Sequence, residues 1–202
     1  MIKILLATGN KNKAKELLKI LPAKTEKGEE ISYLTFADFP NVPEPDENAA
    51  DLAGNAIIKA KAGLKAAGLI SIADDTGLMV DALGGRPGVH SARYAFPDRA
   101  DYPANNKKLL EELKNVPASK RTARFVTVAA LALPNGKIIT KTGSVEGYIA
   151  FEASGKNGFG YDPLFTVKEL NKTMAAMTLE EKNKISHRFR AFKQMAEILL
   201  KL

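Results

Sequence analysis

The chain has 202 residues, of which 45% are hydrophobic and 26% are charged, and these values are those of an ordinary globular domain. It contains no cysteine, which excludes a disulfide framework, a thiolate metal site and a cysteine nucleophile. Its only histidines are His90 and His187, so a histidine-rich zinc site is also excluded. No apolar run approaches a membrane span and the start lacks a signal-peptide pattern, so we expect a soluble cytoplasmic protein with no membrane partner.

The net charge of +7 is concentrated in two segments near opposite ends of the sequence. Residues 10–20 carry four lysines against one glutamate, and residues 182–202 carry six basic residues against one glutamate. If folding brings these segments together they form an anion site, and the acidic clusters 44–47 and 74–75 would supply ligands for a hard divalent cation. The plainer interpretation is a solvated basic surface. Nucleic-acid binding is disfavoured, because basic and aromatic residues do not interleave and tryptophan is absent.

The first half of the chain alternates predicted strands with predicted helices. In chain order we predict a strand over 2–7, a helix over 11–21, a strand over 31–36, an extended proline-containing loop over 39–47, a helix over 48–67 and a strand over 69–73. This strand runs directly into Asp74-Asp75-Thr76-Gly77, after which extended structure resumes over 78–83.

The second half of the chain adds a predicted hairpin to this pattern. We predict a helix over 104–115, a strand over 122–133, a turn at 134–136, a strand over 137–142, a glycine-rich loop over 155–160 and a helix over 187–201. Thr178 and Glu181 match a capping box. Alternating elements followed by a hairpin predict a single α/β domain with a mixed β-sheet flanked by helices.

Two motifs of the first half combine residues suited to phosphate chemistry. In Thr8–Lys13, Gly9 permits a close turn, and Lys13 adds a cation near the helix N-terminus, where backbone amides attract anions. The alternative is an ordinary capped helix with solvated lysines. Asp74 and Asp75 are costly to bury without partners, and adjacent strand side chains face opposite sides, so one would bind a metal while the protein holds the other. The alternative is a turn whose aspartates cap backbone amides.

Two further motifs of the second half are typical of a nucleotide-base pocket. Residues 155–163 surround Phe159 and Tyr161 with glycines, so that one of these rings would stack on a base while Asp162 binds its edge. The alternative is a packed turn whose aromatic side chains are buried in the core. Residues 182–188 place basic side chains at a helix start, which is either a base- and phosphate-binding site or a plain basic terminus.

Five motifs occur in order: Thr-Gly-Asn-x-x-Lys at 8–13, Ala-Asp-Asp-Thr-Gly-Leu at 73–78, Pro-Gly-x-x-Ser-Ala-Arg-Tyr at 87–94, Gly-Phe-Gly-Tyr-Asp-Pro at 158–163 and Lys-x-x-Ile-Ser-His-Arg at 182–188. Together they resemble the inosine triphosphate pyrophosphatase family, also called dITP/XTP pyrophosphatases, over essentially the whole chain. The resemblance implies hydrolysis of ITP, dITP and XTP to the monophosphate and pyrophosphate, which cleanses the nucleotide pool. It also implies Mg²⁺ as cofactor, a homodimer, and a long mixed sheet with two lobes around a substrate cleft.

The resemblance also assigns roles to individual residues. Asp75 would bind magnesium and act as general base, Lys13 would be the second catalytic group, and either Glu44 or Glu47 would be a further metal ligand. The implied substrate-binding residues are Thr8, Gly9, Asn10, Lys11, Asn12, Lys13, Thr76, Phe159, Gly160, Tyr161, Asp162, Lys182, His187 and Arg188. Where family members often carry Phe-x-Glu-Asn-Ala, this chain has Gly54 in place of the glutamate.

Two alternatives to this function stay open at the level of sequence. One is a related pyrophosphatase that acts on pyrimidine or modified nucleotides. The other is a nucleotide-binding module without catalysis, which the two acidic clusters disfavour, because carboxylates beside a phosphate site weaken anion binding unless a cation is used.

Overall fold

The structure, a computed structural model, describes residues 1–39, 42–43 and 45–202. Its helices are α1 (Lys11–Leu17), α2 (Leu52–Ala67), α3 (Tyr102–Glu112), α4 (Leu179–Ile185) and α5 (His187–Leu199). Its strands are β1 (Ile2–Leu6), β2 (Ile31–Thr35), β3 (Ile70–Val80), β4 (Pro87–Gly88), β5 (Thr122–Ala132), β6 (Ile138–Ile149), β7 (Phe165–Val167) and β8 (Lys172–Thr173). Within these described ranges, no helix has the length and apolar character needed to cross a membrane.

The strands form one mixed sheet, as predicted, in the order β2-β1-β3-β5-β6-β7-β8, with β4 paired to β3. β1 pairs in parallel with both β2 and β3, whereas β3–β4, β6–β7 and β7–β8 are antiparallel. Parallel neighbours need crossover connections, and α1 and α2 lie in the connections that follow β1 and β2. The predicted α/β fold class with a mixed sheet is therefore confirmed.

The chain divides into two compact units, each with its own core. Unit 1 comprises Met1–Asp75, Thr127–Gly143 and Arg188–Leu202, and unit 2 comprises Thr76–Val126 and Ser144–His187. The core of unit 1 is built largely from aliphatic residues, for example Ile4, Leu6, Leu17, Ile72, Leu131 and Leu199. The core of unit 2 contains more aromatic rings, among them Tyr94, Phe125, Tyr161 and Phe165.

Helix α2 is the longest helix of unit 1 and lies very close to the strands. The side chain of Asp51 accepts a hydrogen bond from the Gly54 amide at 2.7 Å and so caps its start, and Gly68 ends it with a φ of 67°. At Gly63 a Cβ atom would overlap the side chains of Ser71 and Ala7, so only glycine permits this close packing. This approach brings the buried side chains of α2 against β1 and β3.

β3 runs without interruption from Ile70 to Val80, so it continues through the predicted strand end at 73, and the alternative of a turn at 74–77 is wrong. Gly77 is required by the neighbouring strand, since a Cβ there would lie 2.7 Å from the carbonyl oxygen of Gly88 in β4. The two aspartates are compatible with a buried strand because cationic side chains from distant parts of the chain pair with them. Local turn propensity is here outweighed by tertiary ion pairs.

Other predicted boundaries shift by a few residues or more. Helix α1 ends at Leu17 rather than 21, and α2 begins at Leu52 rather than 48. The hairpin between β5 and β6 is confirmed, but β6 continues to Ile149, well beyond the predicted end at 142. The short strands β4, β7 and β8 were not predicted, because two or three residues carry no period to detect.

Candidate active site

The turn between β1 and α1 is fixed by its own side chains. Asn10 caps α1: its Oδ1 accepts hydrogen bonds from the amides of Asn12 at 3.0 Å and Lys13 at 3.2 Å. The Asn10 amide in turn donates to the Thr8 hydroxyl at 3.2 Å. The backbone amides of Asn12 and Lys13, which the sequence predicted would bind an anion, therefore already donate to Asn10. The lysines of this segment, rather than these two amides, are left to attract phosphate.

Lys13 and Arg188 meet at the carboxylate of Asp74. The Lys13 Nζ lies 3.1 Å from Asp74 Oδ2, and Arg188 approaches the same oxygen at 3.4 Å. Arg188 also pairs with Glu16 of α1, so this network joins α1, β3 and α5. Asp74 and Arg188 are each 2% exposed. One residue from each of the two basic segments, Lys13 and Arg188, therefore meets at the same carboxylate in unit 1.

Asp75 has a separate set of partners, on helix α2. Its Oδ1 lies 2.8 Å from the Lys59 Nζ, and its Oδ2 accepts a hydrogen bond of 3.4 Å from the Asn55 side chain. Lys59 also pairs with Glu47 at 2.9 Å, so its ammonium bridges two carboxylates. The separate partners of Asp74 and Asp75 agree with the alternation of side chains along a strand.

Asn55 and Lys59 were missed by the sequence analysis. Both are buried and lie one helical turn apart, on the same face of α2 as Leu52, Ala56 and Ala60. A lysine placed within the otherwise apolar face of an amphipathic helix is the signal that would have identified it.

These contacts move the pKa values of the carboxyl groups in opposite directions. Burial alone would raise the pKa of Asp74, but the charges of Lys13 and Arg188 outweigh burial and hold it well below its ordinary value. Burial raises the pKa of Asp75, and the Lys59 ammonium opposes this shift without cancelling it. Asp74 is thus a permanent anion, whereas Asp75 accepts a proton more readily than an ordinary aspartate.

Of the predicted metal ligands, Asp75 and Glu47 both lie within hydrogen-bond distance of one atom, the Lys59 Nζ. Glu44, the other predicted metal ligand, lies outside the described residues. Among residues 1–39, 42–43 and 45–202, no group of three or more histidine, aspartate or glutamate side chains is arranged as a metal site. A Cβ atom at Gly54 would lie 2.5 Å from the Cβ of Ala49. The segment before α2 therefore occupies the space that a larger side chain at position 54 would need.

The predicted base-binding loop lies in unit 2 and is held by Asp162. The Asp162 carboxylate accepts hydrogen bonds from the Phe159 amide at 2.8 Å and from the Lys182 Nζ at 2.7 Å. The Asp162 amide donates back to the Phe159 carbonyl at 3.2 Å. Gly158 has a φ of 75°, and a Cβ there would overlap the Asp162 carboxylate. The loop is therefore a closed turn whose glycine is required.

The structure distinguishes the two aromatic residues of this loop. Phe159 is partly exposed, and the Lys182 Nζ lies 5.0 Å from its ring centroid. Tyr161 is 3% exposed, belongs to the core of unit 2 and donates its hydroxyl to the Ser91 carbonyl at 2.9 Å. Phe159 is therefore the ring available for stacking, and Tyr161 anchors the loop.

The remaining predicted residues differ in accessibility. His187 is 3% exposed and stacks on Phe125 with the ring centroids 4.6 Å apart, so it packs within unit 2. Thr76 lies within β3 and is partly buried. Gly9, Lys11 and Asn12 are exposed. Arg188, predicted to read a base, is instead engaged by the carboxylates of Glu16 and Asp74.

The chain was compared with known proteins. Relatives named dITP/XTP pyrophosphatase include those of Elusimicrobium minutum, 53% identical over 97% of this chain and 98% of the relative, and Desulforamulus reducens, 48% identical over 100% and 97%. Among solved structures, a HAM1 protein from Coxiella burnetii is 39% identical with a TM-score of 0.87 over 100% of both chains. The Staphylococcus aureus Ham1 protein is 37% identical with a TM-score of 0.83 over 98% of this chain and 97% of that one.

The Ham1 family model matches residues 4–198. This match covers nearly all of the chain and agrees with the full-length relatives and with the shared fold. The family resemblance predicted from the five motifs is confirmed, and the chain belongs to the Ham1 family.

Proposed function

We propose that this protein hydrolyses non-standard purine nucleoside triphosphates, namely ITP, dITP and XTP, to the monophosphate and pyrophosphate. The observation that carries the proposal is the pair of adjacent aspartates in β3, each with its own lysine, Lys13 on Asp74 and Lys59 on Asp75. Lysine side chains bind the phosphate oxygens of a polyphosphate, and carboxylates bind its metal counter-ion, so a site for both needs the two kinds of group side by side. The full-length relatives named dITP/XTP pyrophosphatase support the substrate class.

The residues present fit Mg²⁺, because this ion is commonly bound through one or two carboxylates together with substrate phosphates and water. Asp75 and Glu47 would hold it, and their present bridging by Lys59 shows that both carboxylates reach one cation. When bound, the ion supplies neutralisation of charge on the phosphate oxygens.

In the chemical step, Asp75 acts as the general base. A water oxygen forms a bond to the α-phosphorus, the bond to the α–β bridging oxygen breaks, and pyrophosphate leaves. The Asp75 carboxylate receives the proton of the water. Lys13 neutralises the charge that develops on the phosphate oxygens, while Asp74, itself paired with Arg188, keeps the Lys13 ammonium in place.

Base selection is assigned to the loop of unit 2. Phe159 stacks on the purine, and Lys182, oriented by Asp162, donates a hydrogen bond to the 6-oxo oxygen. A donor at this position leaves the 6-amino group of adenine without a partner, which disfavours ATP.

The proposal is tested by incubating the protein and Mg²⁺ with a panel of ITP, dITP, XTP, GTP, dTTP and UTP, with separate assays for pyrophosphate and orthophosphate. We expect pyrophosphate from ITP, dITP and XTP at rates far above those of the other nucleotides. Preferred turnover of dTTP or UTP would establish pyrimidine specificity and contradict the proposal. Binding of ITP without turnover in the presence of Mg²⁺ would establish a non-catalytic module.

We further propose that the protein works as a homodimer in the cytoplasm, which the family resemblance supports. Size-exclusion chromatography with light scattering tests the assembly, with a mass of about twice the 21.8 kDa of one chain as the expected result. A mass of one chain at micromolar concentration would contradict it.

A further inference from the structure

Helix α3 holds the loop that carries Phe159 through two side chains outside all five sequence motifs. Tyr102 and Asn106 lie one helical turn apart and so share a face of α3. The Tyr102 ring centroid is 6.2 Å from that of Phe159, in a tilted arrangement. The Asn106 Nδ2 donates a hydrogen bond of 3.0 Å to the carbonyl oxygen of Gly160.

The Gly160 carbonyl depends on Asn106. Gly160 has a φ of 66°, and a Cβ built on it would meet nothing within 4 Å, so packing does not fix this residue. In the described part of the chain, Asn106 is the only donor that reaches its carbonyl oxygen. A glycine with open space around it and left-handed backbone geometry has other conformations available, and this hydrogen bond selects one of them.

Asn106 itself is only half satisfied by the fold. Its Oδ1 is buried and has no hydrogen-bond donor among the residues that the structure describes. An unpaired buried acceptor costs free energy, so the Oδ1 atom does not explain why asparagine stands at position 106. The bond that it does make is directed at the residue next to Phe159.

The Phe159 turn is therefore held from two sides. On one side the Asp162 carboxylate binds the Phe159 amide and is itself paired with Lys182. On the other side α3 supports the Phe159 ring through Tyr102 and the carbonyl of Gly160 through Asn106. The first support contains residues that would contact the base, whereas the second contains none of the predicted substrate-binding residues.

We propose that Asn106 is a positioning residue for base recognition, which sets the orientation of the Gly160–Tyr161 peptide, next to Phe159, and through it the affinity and selectivity for the purine. This proposal rests on the proposed function. Since Asn106 belongs to neither the Asp75 nor the Lys13 contacts, it acts on substrate binding and leaves the chemical step unchanged.

The test replaces Asn106 with leucine in the full chain, which keeps the size of the side chain and removes its donor. We expect KM for ITP to rise about tenfold, with kcat within about twofold of the wild type, because the Gly160 carbonyl loses the donor that orients it. The preference for ITP over ATP, as a ratio of kcat/KM values, falls as well. Lys107→Leu, an exposed position on the same helix, is the matched control and should change none of these quantities.

Hydrogen exchange of the amides in residues 158–162 gives a readout that does not require activity. We expect Asn106→Leu to accelerate this exchange, Asn106→Gln, which retains a donor, to accelerate it less, and Lys107→Leu to leave it unchanged. Unchanged exchange, KM and selectivity in Asn106→Leu would overturn the proposal, and so would a fall in kcat at constant KM. If Asn106→Leu does not fold, Asn106→Asp, of the same shape and without the donor, carries the same test.

Failure of the proposed function has a different signature. A wild-type protein that hydrolyses none of the nucleotides would overturn the proposed function, while faster exchange in Asn106→Leu would still show that Asn106 orders the Phe159 turn. Full ITP hydrolysis by the wild type, with a variant identical to it in every readout, would overturn the role of Asn106 alone.

Discussion

The charged cluster of unit 1 and the Phe159 loop of unit 2 are built in different ways. In the cluster, Asp74 and Asp75 lie on a long regular strand, and helices α1, α2 and α5 bring lysine and arginine to them. In the loop, Phe159 lies on an irregular turn that depends on a glycine, one carboxylate and one helix. A rigid array of charges suits a reaction on phosphate, and an accessible ring on a supported turn suits recognition of a flat base. Changes in the cluster should therefore act on kcat, and changes in the loop on KM.

The largest expected effect is that of Asp75→Asn. Removal of the general base and of one cation ligand should lower kcat for ITP about a thousandfold or more, at the upper end of the effects of general bases. Steady-state kinetics with saturating Mg²⁺ measures it, and circular dichroism checks that the fold is kept. Asp81→Asn, on an exposed aspartate paired with Arg124, is the control. Activity within tenfold of the wild type would remove Asp75 from the mechanism.

The main expected effect of Lys59→Met is a lower free energy of unfolding. The buried carboxylate of Asp75 loses its closest cation, and breaking a buried pair in this way costs about 3 kcal/mol of unfolding free energy. Because a divalent ion at Asp75 and Glu47 then no longer competes with the Lys59 ammonium, Mg²⁺ should raise the Tm of this variant more than that of the wild type. Thermal unfolding with and without Mg²⁺ measures both effects, with Lys61→Met, exposed on the same helix, as control. An equal response to Mg²⁺ in the variant and the wild type would refute the assignment of these two carboxylates.

Phe159→Ala tests the role of the loop in substrate binding. Loss of the stacking ring should raise KM for ITP about tenfold or more, since stacking of a base on an aromatic side chain contributes about 1–3 kcal/mol. The value of kcat should change far less, because the ring takes no part in the chemical step. The exposed Phe151, replaced by alanine, is a matched control for the loss of a surface phenylalanine. A fall in kcat with constant KM would contradict the division of labour between the two regions.

The smallest effect concerns acid stability. The pKa of Asp74 is lowered in the folded protein, so its charge stabilises the fold above the ordinary carboxyl pKa of about 4, and this contribution declines as the pH falls below it. The difference in unfolding free energy between the wild type and Asp74→Asn should therefore shrink between pH 5 and pH 3, by roughly 1 kcal/mol. Urea denaturation at the two pH values measures it. A difference that is constant or grows on acidification would show that the pKa of Asp74 is not lowered.

The sequence predicts those features that depend on local chemistry. The capping box of Thr178 and Glu181 and the turn around Gly136 between β5 and β6 were both predicted and are both present. Each involves residues within a few positions of one another, so the side chain and the backbone group that it satisfies can be identified from the spacing.

Features that depend on distant partners were not predictable in the same way. A turn at Asp74-Asp75-Thr76-Gly77 stayed open as an alternative, because nothing nearby in the sequence shows that Lys13, Lys59 and Arg188 neutralise the aspartates. The position of Lys59 on the buried face of α2 marks it as unusual, but the sequence does not show that Asp75 is its partner. Arg188 was assigned to a base from its motif, whereas its buried partners Glu16 and Asp74 lie more than a hundred positions earlier.

The central claim, attack of water on the α-phosphorus, is tested most directly by hydrolysis of ITP in ¹⁸O-labelled water with Mg²⁺. Mass spectrometry of the products locates the new oxygen. Our account places one ¹⁸O in the inosine monophosphate and none in the pyrophosphate. Label in the pyrophosphate, or release of inosine diphosphate with labelled orthophosphate, would contradict it.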